Sequence, residues 1–569
     1  MSRIHFQKRR DFLKGATCLA ASGAASAFVP QLSLLGTALA GTVSGYKALV
    51  CLYLDGGSDS FNMLIPVDNT TSVPVPGRTP LSGFNATPYG WYATSRGGLY
   101  QGIPTALGIP LPGTPGGGGT LPGALALNGG QFGLNPAIPE LQTLFNANRL
   151  AFVANAGPLV FPMRRSTFNS TARPPNLYSH NDQTSLWQIG AGDTASDPMG
   201  WGGKMAGVLL GAAPGSGLAP CISIAGSTRY LTGEYPGNQT ISPYRLSTSG
   251  TNPATSLNNY NSGDPAGSKR REVLTGLLNE TYPQAFTNEY GEILDRSMNL
   301  SITINAAIAS LTTPAPAPGS PLANFNSLVA GTAVAGIGNG IPNTGIGSQL
   351  RQVARMIAVS RFGQGTIQAN RQVFFVRTGG YDTHDGQIPA ASANNGVWGG
   401  QQGLLQQIAQ AMAGFYNAMT ALNAVAGYAG VVNEVVTHTM SEFSRTINSN
   451  GNGTDHAWGQ VAMVMGAAAG SGGPLNGGQV YGRYPLQLLG RQYPNAAPDL
   501  LGECFNRGEF LPTTATEQMS ASLARWMGLS NAELPTVFPN IDNFVNPHPN
   551  SAVMAYNNRV IPNMMNGIS

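Results

Sequence analysis

Charge is scarce in this sequence. Asp, Glu, Lys and Arg make up only 10% of the 569 residues, and the surplus of four positive charges belongs entirely to the start of the chain. Residues 1–40 carry Arg3, Lys8, Arg9, Arg10 and Lys14 against one acid, Asp11, which leaves 25 basic and 25 acidic side chains in the remainder. A chain with no net charge and no basic stripe lacks the footprint of a nucleic-acid binder or of a protein drawn to an anionic membrane surface. Cysteine is scarce too. Beyond residue 40 only Cys51, Cys221 and Cys504 remain, an odd number, widely spaced and without a CxxC pair, which excludes a disulfide framework and a zinc ribbon. Cys51 and Cys221 lie in apolar runs and read as buried small hydrophobes. No GxGxxG follows the first apolar run, no GxSxG elbow has triad partners, and no haem or iron–sulfur signature appears, so the common nucleotide, serine-hydrolase and redox-cofactor classes have no support.

What is present begins with an address. Lys8 to Gly15 (KRRDFLKG) precede a mild apolar run from Ala16 to Pro30, and Ala38-Leu39-Ala40 supplies the small-x-small pattern of a signal-peptidase site. Arg9 and Arg10, followed by Phe12, Leu13 and Lys14, resemble the twin-arginine consensus, with Lys8 where Ser or Thr is more usual. Residues 1–40 therefore read as an export signal handled by the twin-arginine translocase and signal peptidase, and the mature chain, residues 41–569, as periplasmic or secreted. The apolar run is too short and too rich in small residues to span a membrane, so no stable membrane span is expected.

Tyr46 to Leu54 (YKALVCLYL) is a continuous apolar run ending in Asp55-Gly56-Gly57, the pattern of a buried parallel strand that delivers a loop at its carboxyl end. Residues 149–154, 221–225, 373–377 and 431–439 predict further strands. Leu405, Ile408, Met412, Phe415, Met419 and Leu422 form one helical stripe. Helices are also predicted over 137–148, 271–311, 347–361 and 516–528, the last opened by a Thr514/Glu517 capping box. Strands alternating with helices predict an α/β fold with a mainly parallel sheet covered on both faces. The Pro-, Gly- and polar-rich stretches 103–123, 232–269 and 312–347 read as long loop insertions in one domain.

In such a sheet, function gathers beyond the carboxyl ends of the strands. Asp55 and Asp59 follow the first predicted strand, Asp382 and His384 follow residues 373–377, and Glu442 follows 431–439. Asp455 and His456 come from the Gly-rich segment after Glu442. Acids and imidazoles converging at short range repel unless a cation holds them, so these seven residues predict a site for a divalent metal, with zinc, manganese and calcium all compatible. Such a metal activates water or a hydroxyl and stabilises charge on a phosphoryl or sulfuryl group. Ser58, Ser60, Ser179 and His180 are the candidate catalytic side chains, Ser166 and Thr167 lie near the same motifs, and Arg164 and Arg165 could hold an anion. His438, inside a strand, reads as a packed residue and His548 as a surface one.

The ordered motifs YLDGGSDSFNMLIP, YSHNDQ, FFVRTGGYDTHDGQ, TMSEFSRT, NGNGTDHAWG, GEFLPTTATEQMSASLARWMGL and VFPNIDNF, over about residues 46–545, resemble the bacterial family of domain of unknown function 1501. That family is grouped with the alkaline-phosphatase-like superfamily, and the resemblance implies a three-layer α/β/α sandwich with a metal-supported site. It places Asp55, the pair Asp382 and His384, Glu442, and His456 at the positions of that superfamily's ligands, with Asp59 and Asn62 in the first motif and His180 in the second. The sulfatase signature CxPxR is absent, and Glu442 stands where the phosphatases carry Asp-His. The expectation is an exported metal-dependent hydrolase of phosphate, sulfate or related esters, acting on a small-molecule or polymer substrate. The alternative is a non-catalytic exported surface or assembly protein that keeps the fold and a structural metal.

Overall fold

A computed structural model describes residues 45–568, apart from 115–121, 212–217, 255–264, 281–284, 362–366, 389–399, 493–500 and a few one- or two-residue positions. The predicted export signal lies outside the described residues. Nine strands form one sheet: β1 (Lys47–Leu54), β2 (Leu150–Gly157), β3 (Cys221–Ser223), β4 (Tyr244–Arg245), β5 (Arg371–Thr378), β6 (Val435–Ser441), β7 (Gln460–Met465), β8 (Val480–Gly482) and β9 (Thr514–Ala515). Their order is β8-β2-β7-β6-β1-β5-β3-β4, with β9 also on β2. Every pairing is parallel except the two made by β7.

β1 lies between β5 and β6, and the register brings Leu54 level with both Thr378 and Ser441. Three loops therefore leave the sheet at one height. β7 runs the other way, so the segment before it returns to the same edge. Thr446 N–H bonds to the Asp455 carbonyl at 2.8 Å and Ala457 N–H to the Ser444 carbonyl at 2.9 Å, which lays His456 opposite Arg445.

Alternation along the strands sends side chains into two apolar cores. Ala48, Val50, Leu52 and Leu54 join Phe374 and Val376 in one, packed against helices α1 (Pro139–Asn146), α4 (Gly345–Arg361) and α5 (Gly400–Asn423). Leu49, Cys51, Tyr53, Phe375 and Met440 join the other, with α2 (His180–Ile189), α3 (Trp201–Leu210) and α6 (Thr516–Met527). All six residues of the predicted stripe on α5 are buried; each such side chain contributes about 1.5–3 kcal/mol by leaving water. No helix of the described residues is long and apolar enough to cross a membrane.

The structure departs from the sequence reading in places. Residues 312–347 contain a helix, Pro321–Ala330, whose N-terminus is capped by the Ser320 hydroxyl; Phe325, Leu328 and Val329 bury its inner face. Residues 232–269 hold a short hairpin, the β4 strand and the start of the helix Pro265–Leu278. Residues 431–434 form a 3₁₀ turn, and β6 begins only at Val435. Thr514 pairs with Ala156 in β9 instead of capping α6; Gln518 Oε1 accepts the Ala515 N–H at 3.0 Å, so the reach-back comes one residue later than predicted. Cys51, Cys221 and Cys504 are all buried and unpaired. His438 is enclosed between Tyr230 and Trp201, and burial pushes its pKa down to about 3. His548 is half-buried, stacked on Phe161.

Candidate metal centre

Four side chains meet beyond the ends of β1, β5 and β6. Asp382 and His384 come from the loop after β5, His456 from the returning segment before β7, and His180 is the first residue of α2. His180 Nε2 lies 3.4 Å from Asp382 Oδ2, and His456 Nε2 lies 3.2 Å from Asp382 Oδ1. Ligand atoms of His180, Asp382 and His456 all fall within 4.8 Å of one another, a group that could hold a metal ion. His384 Nε2 extends it, 2.9 Å from His456 Nε2 and 3.2 Å from Asp382 Oδ1.

The other nitrogen of each ring meets an acceptor. His180 Nδ1 is 2.7 Å from Glu442 Oε1, His384 Nδ1 is 2.9 Å from Asp455 Oδ1, and His456 Nδ1 is 2.8 Å from the Tyr178 carbonyl. These partners assign the proton of each neutral ring to Nδ1 and leave the Nε2 lone pair facing Asp382. That is the arrangement in which metal-binding histidines are held, with the outer N–H fixed by a carboxylate or carbonyl. Without a cation, rings holding a proton at Nδ1 would need a second proton at Nε2 to face that carboxylate favourably.

Local sequence explains the placements. Ser179 caps α2 through its hydroxyl and also bonds Asp182 Oδ2 at 2.7 Å, so the helix starts at His180. Tyr178 adopts φ +71°, uncommon for a bulky residue, and its carbonyl is the one that meets His456. Gly453 passes so close to Thr383 that a Cβ would sit 2.2 Å from that residue's carbonyl oxygen. Phe443 stacks on His456 with ring centroids 4.5 Å apart.

Arg445 is wholly enclosed. Its Nη1 donates to Asp382 Oδ1 at 2.8 Å, and the guanidinium also meets the Thr454 and Gly56 carbonyls. Burial pushes the Asp382 carboxyl up, but the Arg445 hydrogen bond and charge outweigh this and hold it below the ordinary value. The hydrogen bond to Glu442 raises the His180 pKa, whereas burial lowers that of His456. Burial likewise acts upward on Asp455, and bonds from Asn450, His384 and Arg507 overcome it.

Of the seven residues predicted to bind metal, Asp382, His384 and His456 face the cluster with their ligand atoms. Glu442 and Asp455 stand behind it, each on a ring Nδ1. Asp55 pairs with Arg377. Asp59 is sealed in the interior by Arg96, at 2.8 and 2.9 Å, and by Gln387 Nε2 at 2.7 Å. His180, singled out as a catalytic candidate, joins the cluster itself. Ser58 Oγ accepts from Gln401 Nε2 at 3.2 Å, and Ser60 Oγ accepts the Val461 N–H at 2.8 Å. Arg164 and Arg165 bind Glu503 and the loop around Gly490. Thr167 accepts from Asn550 at 2.9 Å. Nothing in RGG or SRT distinguishes an enclosed arginine from a solvated one, so the enclosure of Arg96 and Arg445 and their pairing with Asp59 and Asp382 were not legible in the sequence.

Residues 344–529 match the family described as Protein of unknown function (DUF1501). The match runs from the start of α4 to just past α6 and contains Asp382, His384, Glu442, Asp455 and His456; His180 lies before it. It supports the resemblance carried by the motifs. No curated protein and no solved structure matches the chain.

Proposed function

We propose that this chain is an exported metal-dependent hydrolase of phosphate, sulfate or related esters, with His180, Asp382 and His456 as metal ligands and His384 beside them at the edge of the centre. The observation that carries the reading is the orientation of three imidazoles, each pinned at Nδ1 and presenting Nε2 to one carboxylate. Imidazole nitrogen donors favour zinc over manganese and calcium, which suit oxygen ligands. When bound, the ion would supply Lewis acidity to water and to the anionic oxygens of an ester.

The chain's own residues prepare that chemistry. Arg445 fixes Asp382 and, being enclosed, keeps it aimed at the rings. Asp382 and His384 are each 45% exposed at the side chain, so the cluster opens to solvent and leaves room for water and substrate, as a catalytic site must. The two-sided covering of the sheet agrees with the α/β/α sandwich implied by the resemblance to alkaline-phosphatase-like proteins. The twin-arginine motif at Arg9 and Arg10 supports export in a folded, metal-loaded state through the translocase, to the periplasm or beyond.

A second reading draws on the serines. Ser58, Ser60 and Ser179 all make structural hydrogen bonds, which suits a non-catalytic exported surface or assembly protein that retains the metal for stability. Purified mature protein should contain metal in either case, and His456→Ala should strip it. Ester turnover across a panel of phosphate and sulfate esters, abolished by His456→Ala, favours the hydrolase. Silence of the metal-loaded protein across the whole panel favours the second reading.

A further inference from the structure

Glu442 was expected to touch the metal, and its position gives it a different task. Its side chain is fully enclosed, whereas Asp455, the corresponding partner of His384, is 32% exposed. Glu442 Oε1 accepts from His180 Nδ1 at 2.7 Å and from the Gly56 N–H at 2.7 Å. Oε2 accepts from the Tyr53 hydroxyl at 3.1 Å, and Tyr53 in turn meets Thr184 Oγ1 at 2.6 Å, one turn along the helix that begins with His180. The Trp187 indole N–H, on the same helix, donates to the Glu442 carbonyl at 3.1 Å.

Glu442 is thus tied directly to α2 at two points, His180 and Trp187, to β1 through Tyr53, which itself reaches Thr184 of α2, and to the loop after β1 through Gly56. Asp455 shares its charge with Arg507 and Asn450 near solvent. A carboxylate in a dry, low-dielectric setting strengthens the bond it accepts, and one already paired and hydrated does so less. Outer partners of this kind typically change metal affinity by about 10- to 100-fold.

We propose that Glu442 is the dominant positioning residue of the centre: it sets the tautomer and aim of His180 and makes that ring the ligand on which metal affinity chiefly depends, with Tyr53 as its support and Asp455 secondary. This rests on the metal-binding reading above and goes beyond it in ranking the outer residues. It also means that Glu442, inside the segment matching the family, draws its support from Tyr53 and Gly56, which lie outside it.

The test titrates zinc and cobalt(II) into full-length mature protein stripped of metal, using a chelating indicator for affinity and the visible spectrum of the cobalt form for geometry. Glu442→Gln should weaken binding about 10- to 100-fold and shift the cobalt bands, with the melting temperature of the metal-free protein little changed. Tyr53→Phe should weaken binding by a smaller factor. Asp455→Asn should weaken it less than Glu442→Gln does. Equal affinity in Glu442→Gln and wild type, or a larger loss in Asp455→Asn, overturns the ranking while leaving the metal centre standing. Failure of the wild-type protein to bind either ion sinks both. If Glu442→Gln does not fold, Tyr53→Phe decides, and unchanged affinity there overturns the proposal.

Discussion

At the scale of single residues, the same carboxylate chemistry has three fates in this protein. Asp382 faces the rings, Glu442 stands behind one of them, and Asp59 is locked to Arg96 with both side chains wholly enclosed. Sequence spacing located all three near the strand ends but could not separate them, because the separation depends on which partners fold in from distant segments: Arg445 on Asp382, Arg96 on Asp59, and His180, Tyr53 and Gly56 on Glu442. Asp59→Asn should leave metal content unchanged and lower the free energy of unfolding by about 3–5 kcal/mol, the cost of stranding a buried guanidinium, as read from urea denaturation. Asp455, with its partners Arg507 and Asn450, was equally opaque for the same reason. Another carboxyl lies outside this cluster. Glu517 is fully buried at the start of α6, and burial raises its pKa from 4.5 to about 7, against a smaller opposing effect of the Thr516 hydroxyl. The folded chain therefore keeps this proton to higher pH than the unfolded chain. The stability involved is complete below the unfolded value of 4.5 and is lost as pH rises through about 7, levelling at roughly 3 kcal/mol. Urea melts at about pH 5 and about pH 8 should show that loss in wild type and a much smaller one in Glu517→Gln.

Elements bring these residues together through level strand ends and close backbone contact. Gly56 has φ +116°, and a Cβ there would lie 2.4 Å from the Asp382 nitrogen. Gly56→Ala should therefore push the β1 and β5 loops apart, costing about 2 kcal/mol or more and weakening metal binding as well. Thermal melting with and without added zinc measures both, and a variant that melts and binds like wild type would contradict the packing. The strands β1 and β5 and the helix α5 were legible because their patterns are strong: apolar runs for strands buried on both faces, and a stripe at spacings of three and four for α5; β6 was legible in part, its polar Thr437, His438 and Thr439 being buried too and its start falling later than the run of valines suggests. β7 was missed. Its sequence QVAMVM is short, and its antiparallel direction is fixed by β2 and β6 rather than by anything local. The helix α2 was missed as well, since only Ser179 announces it and its inner face has few large apolar residues. The helix Pro321–Ala330 was hidden by the surrounding Ala, Pro and Gly. Seeing α2 would have shown that the first helical position presents His180 to the site.

For the whole molecule, the scarcity of charge and histidine made the site conspicuous. Five histidines lie beyond residue 40, and three of them converge on Asp382, so the family resemblance and the bare residue count pointed to the same edge of the sheet. What the sequence could not convey was the layering of partners, in which Glu442, Asp455 and the Tyr178 carbonyl turn each ring. The centre links segments as far apart as 180, 382 and 456, so metal should stabilise the fold as a unit. Saturating zinc at about a thousand times its dissociation constant should add about 4 kcal/mol, and a chelator should lower the melting temperature accordingly; a melting temperature indifferent to chelator would mean that no such link exists. The most direct measurement is an anomalous difference map from crystals of the mature protein grown with zinc. The account predicts a peak bonded at about 2.0–2.2 Å to Nε2 of His180 and His456 and to the Asp382 carboxylate, with Glu442 and Asp455 outside bonding distance. A map with no peak among these residues, or one in which Glu442 itself coordinates the ion, would contradict it.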